Sequence, residues 1–521
     1  MNTTSWISDK VSKLLPHASA KSGSNGYSTE NSKEKRPVAP VSSEQSAIKI
    51  VSIDAAAEAL KDAAKAPLVA SAPGAARSTR DRLKGSLRHK EEALSPRVLR
   101  RTLEELRAIV DPRLSEVEGG RRARDVAQWY ARAPMAQRRD MWLLMSEQFV
   151  ADPLVIRQAQ AQFAAKVGTA DEAVAEVHYR RATVSPRRRL LQRFSAFPEG
   201  IRFLVDLRAD MLPQLKADKR LQALDVEMEY MFSTWFDVGF LDLRRISWDS
   251  PASLIEKLIK YEAVHDIKSW ADVKNRLDSD RRCYGFFHPR LPDEPLIFVE
   301  VALMDGMAGS ITPLLDESAD AADLRTATTA IFYSISNTQA GLRGVSFGDS
   351  LIKRVVETLK EEFPKLKVFA TLSPIPGFRA WLGKNAAAML AKQGDKDRLQ
   401  VARALGIGAP KPEHLLSAAD KAQELDAKSP VRKMLLQCAA HYLGTEWQDG
   451  KPLDPVARFH LGNGARVERL NWAGDPSVKG LKQSCGLMVN YLYDLNRLDK
   501  HRALLAQGKI AVSAEIERLA F

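Results

Sequence analysis

The chain has 521 residues, of which 45% are apolar, so it is long enough to bury at least two hydrophobic cores. Its formal net charge is +13, with an isoelectric point near 9.5, which favours anionic partners without identifying one. No stretch of about 20 residues is both apolar and free of charge, so the sequence predicts no transmembrane helix. The three cysteines lie far apart, which excludes a zinc cluster built from them and argues against a disulfide framework.

Residues 1–90 are rich in Ser, Ala, Lys and Pro and contain few large apolar side chains. Such a segment cannot bury enough surface to offset its ordering entropy, so we predict a mostly disordered N-terminal extension. It begins with an amphipathic stretch, SWISDKVSKLL, that lacks the apolar region and cleavage site of a secretory signal. A mitochondrial transit peptide is an alternative that Asp9, Glu30 and Glu34 weaken. We therefore expect a cytoplasmic protein, with the mitochondrial matrix as the alternative.

Residues 91–236 show helical periodicity and no strand alternation. The first helix is predicted in LSPRVLRRTLEELRAIV, where Ser95 is a good N-cap and Pro96 occupies the first helical position. Its apolar face consists of Leu99, Leu103, Leu106 and Val110. The pattern predicts an all-α bundle with a structural or oligomeric role.

Residues 237–521 mix strand and helix patterns, so the fold class is multidomain α+β. Strands are predicted in RRCYGFFH, EPLIFVEVALM, TAIFYSIS and LKVFATL, and the last two flank the helix DSLIKRVVETLKEEF. Residues 380 to about 446 return to a helical pattern. The segment RFHLGNGARVERLNW is predicted as a hairpin with its turn at residues 462–464, followed by the strand SCGLMVNYLY.

The loop QAGLRGVSFGDS, residues 339–350, connects a predicted strand to a predicted helix. Its glycines let backbone N–H groups approach an anion, the helix N-terminus favours negative charge, and Arg343 can add a charged contact to phosphate. The spacing matches neither a P-loop nor a dinucleotide fingerprint. It resembles the pyrophosphate loop of GNAT-type acetyltransferases, with Ser346 where the middle glycine is usual. An ordinary glycine-rich connection is the alternative.

Two further residues are candidates for chemistry. Ser373, in VFATLSPIPGF, follows a buried strand and is held by Pro374 and Pro376, although a turn or helix-cap serine is the common alternative. His460 lies in PVARFHLGNG, on the first predicted hairpin strand, where a buried histidine is more often structural than catalytic. No histidine pair has metal-binding spacing, so we expect no metal.

Four segments together resemble the malonyl-CoA decarboxylase family: AIFYSISNTQAGLRGVSFGDSLIKRVV, VFATLSPIPGFRAWL, DPVARFHLGNGARVERLNW and SCGLMVNYLYDL. The resemblance covers about residues 91–521. It implies a helical oligomerisation domain, residues 91–236, followed by a GNAT-like catalytic domain, residues 237–521. It further implies the conversion of malonyl-CoA to acetyl-CoA and CO2 without a cofactor, in a homo-oligomer for which the family suggests a tetramer.

The resemblance also implies roles for individual residues. Ser373 matches the catalytic serine and His460 the catalytic histidine. The coenzyme A-binding residues would be Arg343, Gly344, Val345, Ser346, Phe347, Gly348 and Asp349, together with the catalytic pair. Animal members resembling this chain carry Glu where Ser346 stands, so this chain lacks that carboxylate.

These residues suit a decarboxylation in which a thioester enolate is stabilised by fixed donors and then protonated by a histidine. The alternative enzyme is an acyltransferase or thioesterase with Ser373 as nucleophile and His460 as base. A non-enzymatic alternative is a basic helical protein that binds nucleic acid through its N-terminal tail. No basic motif interleaved with aromatic residues supports this alternative. We expect neither a nucleic-acid nor a membrane partner. The sequence leaves open whether the reaction serves malonate catabolism or fatty-acid metabolism.

Overall fold

The helical region begins earlier than the sequence pattern suggested. A computed structural model describes residues 77–89, 92–345, 347 and 351–519, which lie in one compact unit. Most of the predicted disordered extension, and Ser346, Gly348 and Asp349 of the loop, lie outside the described residues. The helices up to residue 235 are α1 (Thr79–Lys84), α2 (Pro96–Ile109), α3 (Glu116–Arg132), α4 (Met135–Gln148), α5 (Pro153–Lys166), α6 (Glu172–Thr183), α7 (Pro186–Ser195), α8 (Gly200–Met211) and α9 (Gln222–Trp235).

Helix α1 corrects the prediction that disorder extends to residue 90. Arg82, on this helix, pairs with Asp140 of α4, with 2.6 Å between Nη1 and Oδ1, and both side chains are buried. The two residues are 58 positions apart, so composition could not reveal that a buried partner orders this short segment.

Helix α2 forms where its capping residues predicted it. The Ser95 side chain accepts a hydrogen bond from the backbone N–H of Val98, and Pro96 is the first helical residue. Leu99, Leu103 and Leu106 are buried in the main core, as the helical spacing predicted. No strand occurs before residue 242 among the described residues, which agrees with the all-α pattern.

The second part is built on a mixed sheet. Its strands are β1 (Asp242–Ile246), β2 (Arg281–His288), β3 (Leu291–Met304), β4 (Thr329–Asn337), β5 (Val368–Thr371), β6 (Ser373–Pro374), β9 (Arg466–Asn471) and β10 (Met488–Leu492), and β7 (Trp447–Gln448) and β8 (Lys451–Pro452) form a separate pair. The helices are α10 (Ala252–Tyr261), α11 (Trp270–Arg276), α12 (Leu351–Glu362), α13 (Phe378–Lys392), α14 (Asp395–Ala404), α15 (Pro412–Asp420), α16 (Pro430–Thr445), α17 (Pro455–Gly462), α18 (Val478–Ser484), α19 (Leu498–Ala506) and α20 (Ala514–Glu517). A helical region followed by a domain that mixes strands and helices confirms the predicted multidomain α+β fold class.

The strand order in the sheet is β1-β2-β3-β4-β5-β10-β6, and β9 also pairs with β10. Strands β4 and β5 are parallel and are joined through the glycine-rich loop and α12, which confirms the predicted strand–helix–strand unit. Their pairing ends at Thr371, after which β6 pairs with β10 instead. A cleft opens at this divergence, with β4 on one side and β6 on the other.

The predicted hairpin around His460 is wrong, because its first half is helix α17. Asp454 caps this helix by accepting hydrogen bonds from the backbone N–H groups of Val456 and Ala457, and Pro455 is its first residue. The predicted turn is the end of the helix, and β9 pairs with the following strand, β10. Asp454 and Pro455 therefore start a helix, although the residues that follow alternate as in a strand.

Candidate active site

Ser373 lies where the sheet changes partners. It is the first residue of β6, opposite Val489 of β10, and only 6% of its surface is exposed. Pro374 and Pro376 follow, and their fixed φ angles and missing N–H groups hold the chain away from further pairing as it turns towards α13. The hydroxyl is thus fixed at the edge of the cleft.

His460 approaches this serine from the last turn of α17. The Nε2 atom lies 3.2 Å from the Ser373 hydroxyl oxygen, although the residues are 87 positions apart. The imidazole is 3% exposed and stacks on Tyr491 of β10, with 4.7 Å between ring centroids. The structure therefore brings together the two residues that the sequence singled out separately.

The hydrogen bonds around the pair are consistent with one tautomer of His460. The Ser373 hydroxyl donates to Thr371 Oγ1 at 2.9 Å, and a hydroxyl has only one proton to give. With that donor, the 3.2 Å contact with His460 takes Nε2–H as donor and the serine oxygen as acceptor. The other ring nitrogen, Nδ1, then accepts the proton of the Tyr493 hydroxyl, 2.7 Å away. In this arrangement His460 is a neutral imidazole that presents a proton towards Ser373.

Burial keeps the imidazole neutral. It lowers the pKa of His460 from the ordinary value of 6.5 to about 3, because the charged form would lose its hydration without gaining a described carboxylate partner. Tyr493 is also buried, and burial raises the pKa of its hydroxyl well above the usual value. Both groups are therefore uncharged near neutral pH.

Asp454 connects the histidine helix to the loop after Ser373. Besides capping α17, its Oδ2 accepts a hydrogen bond from the Tyr442 hydroxyl at 3.2 Å. The same hydroxyl lies so close to Gly377 that a Cβ there would overlap it. Burial raises the pKa of Asp454, whereas the N–H donors at the helix start act in the opposite direction. The carboxylate thereby fixes the two catalytic candidates relative to each other.

Ser373 and His460 open into a cavity of about 710 Å³. Its described walls are mainly apolar and are formed by Val264, Ile297, Phe332, Tyr333, Ile335, Val345, Phe347, Leu351, Pro374, Pro455, Val456 and Phe459. Arg458 is the one charged side chain among the described lining residues. An anionic group placed beside the pair would thus be largely separated from water.

The glycine-rich loop contributes to one wall of this cavity. Val345 and Phe347 are buried and line it, whereas Arg343 and Gly344 form an exposed turn. Gly344 has a φ angle of 82°, a left-handed conformation that favours glycine. Val345 and Phe347 of the loop therefore line the same cleft as the catalytic candidates.

Sequence reasoning missed Thr371, Tyr493 and Asp454. Tyr493 stands two positions after Tyr491 in NYLYDL, and this spacing directs both side chains to one face of a strand. The Asp-Pro pair was a readable signal for Asp454. Thr371 stands two positions before Ser373, so the same spacing could have placed the two hydroxyls on one face.

The described part of the chain contains neither a metal-binding cluster nor a membrane-spanning helix. No group of three or more His, Cys, Asp or Glu side chains is placed to hold a metal ion there. No helix of residues 77–89, 92–345 and 351–519 is long and apolar enough to cross a membrane.

Comparison with known proteins points to one family. The family model described as the malonyl-CoA decarboxylase C-terminal domain matches residues 239–520, and that of the N-terminal domain matches residues 149–236. The mitochondrial malonyl-CoA decarboxylase of the goose Anser anser anser is 38% identical over 356 residues, which cover 64% of this chain and 71% of the relative. The enzyme of Rattus norvegicus is 40% identical over 342 residues, covering 62% and 68%.

Solved structures agree with this result. The crystal structure of malonyl-CoA decarboxylase from Rhodopseudomonas palustris is similar with a TM-score of 0.69 and 39% identity, covering 81% of this chain and 99% of that one. The enzyme from Cupriavidus metallidurans gives a TM-score of 0.67 and 44% identity, covering 81% and 100%.

Proposed function

Since the chain belongs to the malonyl-CoA decarboxylase family, we propose that Ser373 and His460 convert malonyl-CoA to acetyl-CoA and CO2 in the cleft between β4 and β6. The observation that carries this assignment is the 3.2 Å contact between the serine oxygen and His460 Nε2 at the cavity wall. The protein is thus a carboxy-lyase whose substrate combines an anionic malonyl group with the phosphates of coenzyme A.

The apolar cavity favours the first step, the loss of CO2. The C–C bond to the carboxylate breaks, its electron pair passes into the thioester, and negative charge collects on the carbonyl oxygen. Two effects lower the barrier: the carboxylate is removed from water, and hydrogen-bond donors stabilise the negative charge on the carbonyl oxygen. One such donor contributes about 3–4 kcal/mol. Ser373 is placed to hydrogen-bond to the malonyl carboxylate or the thioester and to orient it.

The second step is protonation of the carbanion by His460. The malonyl carboxylate supplies an anionic neighbour, which raises the pKa of the imidazole, so one proton is taken up with the substrate. His460 Nε2–H then gives its proton to the carbanion carbon, and the ring returns to its neutral form. The sum is malonyl-CoA plus one proton giving acetyl-CoA and CO2, in which each atom and charge is accounted for.

The acyltransferase or thioesterase alternative needs a Ser373 hydroxyl that gives its proton to His460. In the tautomer with Nε2–H as donor, the serine proton goes to Thr371 instead, and this tautomer favours decarboxylation.

Product analysis tests the reaction directly. Purified protein is incubated with malonyl-CoA while CO2, acetyl-CoA, free malonate and free coenzyme A are measured. We expect equal amounts of CO2 and acetyl-CoA. Malonate and free coenzyme A, or a covalent acyl-serine, would instead establish the alternative.

Coenzyme A binding by the glycine-rich loop and a reaction without a cofactor complete the proposed function. We propose that residues 343–349 bind the coenzyme A phosphates, supported by the exposed turn at Arg343 and Gly344. The thioester itself serves as the electron sink. Activity that survives exhaustive dialysis against a chelator is the expected outcome.

We also propose that the protein is cytoplasmic and assembles as a homo-oligomer through its helical region. Helices α5 and α6 support the assembly, since they pack chiefly on each other and leave Leu154, Val155, Val174 and Val177 exposed. Mass measurement in solution tests the assembly. A reporter fused to residues 1–90 tests the location, with import into mitochondria as the contrary result.

A further inference from the structure

An arginine of the helical region reaches into the glycine-rich loop of the catalytic region. Arg208 lies on α8 and is 2% exposed. Its Nη1 donates to the carbonyl oxygens of Gly341 and Arg343, at 2.8 Å and 2.9 Å. Its Nε donates to a carboxylate oxygen of Asp225 at 2.7 Å. This buried cation is therefore shared between its ion-pair partner and the backbone of the loop.

Other contacts hold the same part of the loop against α8. A Cβ at Gly341 would overlap the carbonyl oxygen of Val205, so only glycine allows this approach. Arg202 donates to the side-chain oxygen of Gln339 at 2.6 Å. The start of the loop thus rests on the helical region as well as on its own sheet, where Gln339 Nε2 donates to the carbonyl oxygen of Pro295.

These contacts determine which way the loop presents its N–H groups. In a trans peptide unit the C=O and N–H bonds point in opposite directions. With the carbonyls of Gly341 and Arg343 directed at Arg208, the N–H groups of Leu342 and Gly344 are directed away from it. The N–H of Leu342 is used within the turn, where it donates to the carbonyl of Gln339. The N–H of Gly344, at the exposed turn, therefore points away from Arg208, and successive backbone N–H groups of such a turn are the donors that anion-binding loops use.

We propose that Arg208 is a positioning residue for the coenzyme A phosphates. By fixing two loop carbonyls, it orients the Gly344 N–H on the opposite side of the loop, so the helical region takes part in substrate binding. This inference rests on the proposed function, because it assumes that the loop binds those phosphates. It assigns to α8 a role that is independent of oligomer assembly.

A purely structural role is the competing explanation, and Arg187 provides a matched control. Arg187, on α7, is also buried, and it donates to the carbonyl oxygens of Met145, Ser146 and Ala223 at 2.9–3.1 Å. All of these partners belong to the helical region. An arginine that only stabilises the fold should therefore behave like Arg187.

The test compares Arg208→Met with Arg187→Met on two substrates. One is malonyl-CoA, and the other is malonyl-N-acetylcysteamine, a thioester without phosphates. For Arg208→Met we expect KM for malonyl-CoA to rise about tenfold or more with kcat nearly unchanged, since a charged hydrogen-bond donor that orders the loop is lost. On the truncated substrate, kcat/KM should match the wild-type value. Arg187→Met should lower the melting temperature without separating the two substrates.

Equal losses on both substrates, or no change in KM, would overturn the inference. If Arg208→Met does not fold, Asp225→Asn removes the charge of its partner, and a smaller rise in KM for malonyl-CoA alone is expected. Calorimetric binding of coenzyme A, compared with pantetheine, gives a readout that needs no turnover. Failure of the wild-type protein to decarboxylate would refute the proposed function, whereas unchanged coenzyme A affinity in Arg208→Met would refute this inference.

Discussion

The catalytic pair and the glycine-rich loop are held in place by different means. Ser373 and His460 are buried side chains joined to each other and to Thr371 and Tyr493 by hydrogen bonds. The loop has an exposed turn at Gly344 and is held through its carbonyl groups by Arg208. Bond breaking requires fixed side chains with defined protonation, whereas phosphate binding requires a fixed backbone. Substitutions at the catalytic pair should therefore change kcat, and substitutions that release the loop should change KM.

Replacing the histidine should produce the largest effect. His460→Ala removes the proton donor, so we expect kcat to fall about 10²- to 10⁴-fold with little change in KM for malonyl-CoA. Steady-state kinetics measure both values. His288→Ala is the control, since His288 is buried but lies outside the cavity lining. A folded His460→Ala protein with wild-type turnover would refute the assignment.

The burial of His460 should also make stability depend on pH. The folded protein binds a proton there only near pH 3, whereas the unfolded chain binds one near the ordinary value of 6.5. Stability present above pH 6.5 is therefore lost as the pH falls towards 3, by about 3 kcal/mol between pH 6.5 and 4 at 1.36 kcal/mol per unit. His460→Gln cannot titrate, so its free energy of unfolding should fall less steeply.

Urea denaturation at several pH values between 7 and 4 measures this difference. His265, whose pKa is lowered by burial to about 4, contributes to both proteins, so the comparison isolates His460. Parallel curves for the two proteins would show that His460 is not kept neutral by the fold.

Removing the serine hydroxyl should have a somewhat smaller effect. We expect Ser373→Ala to lower kcat about 10²-fold, since one orienting donor is lost. The Ser373→Ala/His460→Ala double variant should be no slower than the slower single variant, because the two side chains act as a unit. Ser484→Ala is the control, since that serine is buried in α18 outside the cavity lining. Fully additive losses would argue that the pair does not act together.

The smallest effect is expected behind the pair, at Asp454. Asp454→Asn weakens the link from α17 to Tyr442, so kcat should fall about tenfold with KM unchanged, since slight misplacement of catalytic groups is costly. Asp152 caps α5 with the same Asp-Pro arrangement but is exposed, so Asp152→Asn is the control. A rise in KM without a change in kcat would show that Asp454 acts on substrate binding and not on the position of the catalytic pair.

Local signals predicted much of the fold. Ser95 and Pro96 marked the start of α2, and alternation between strand and helix patterns predicted the unit from β4 through α12 to β5. The error at α17 arose because a short helix with apolar residues on both sides resembles alternation over a few positions. The order in α1 was missed because its stabilising partner, Asp140, is distant in sequence.

The sequence by itself determined the family motifs, the order of the helical and mixed regions and the two candidate catalytic residues, because caps, periodicity and motifs are local properties. Only the tertiary structure decided that Ser373 and His460 share one cavity and that burial keeps the imidazole neutral. It also decided that Arg208 supports the loop from 133 and 135 positions away. The reason is physical: burial and hydrogen-bond partners set protonation and backbone orientation, and both arise only when distant segments pack together.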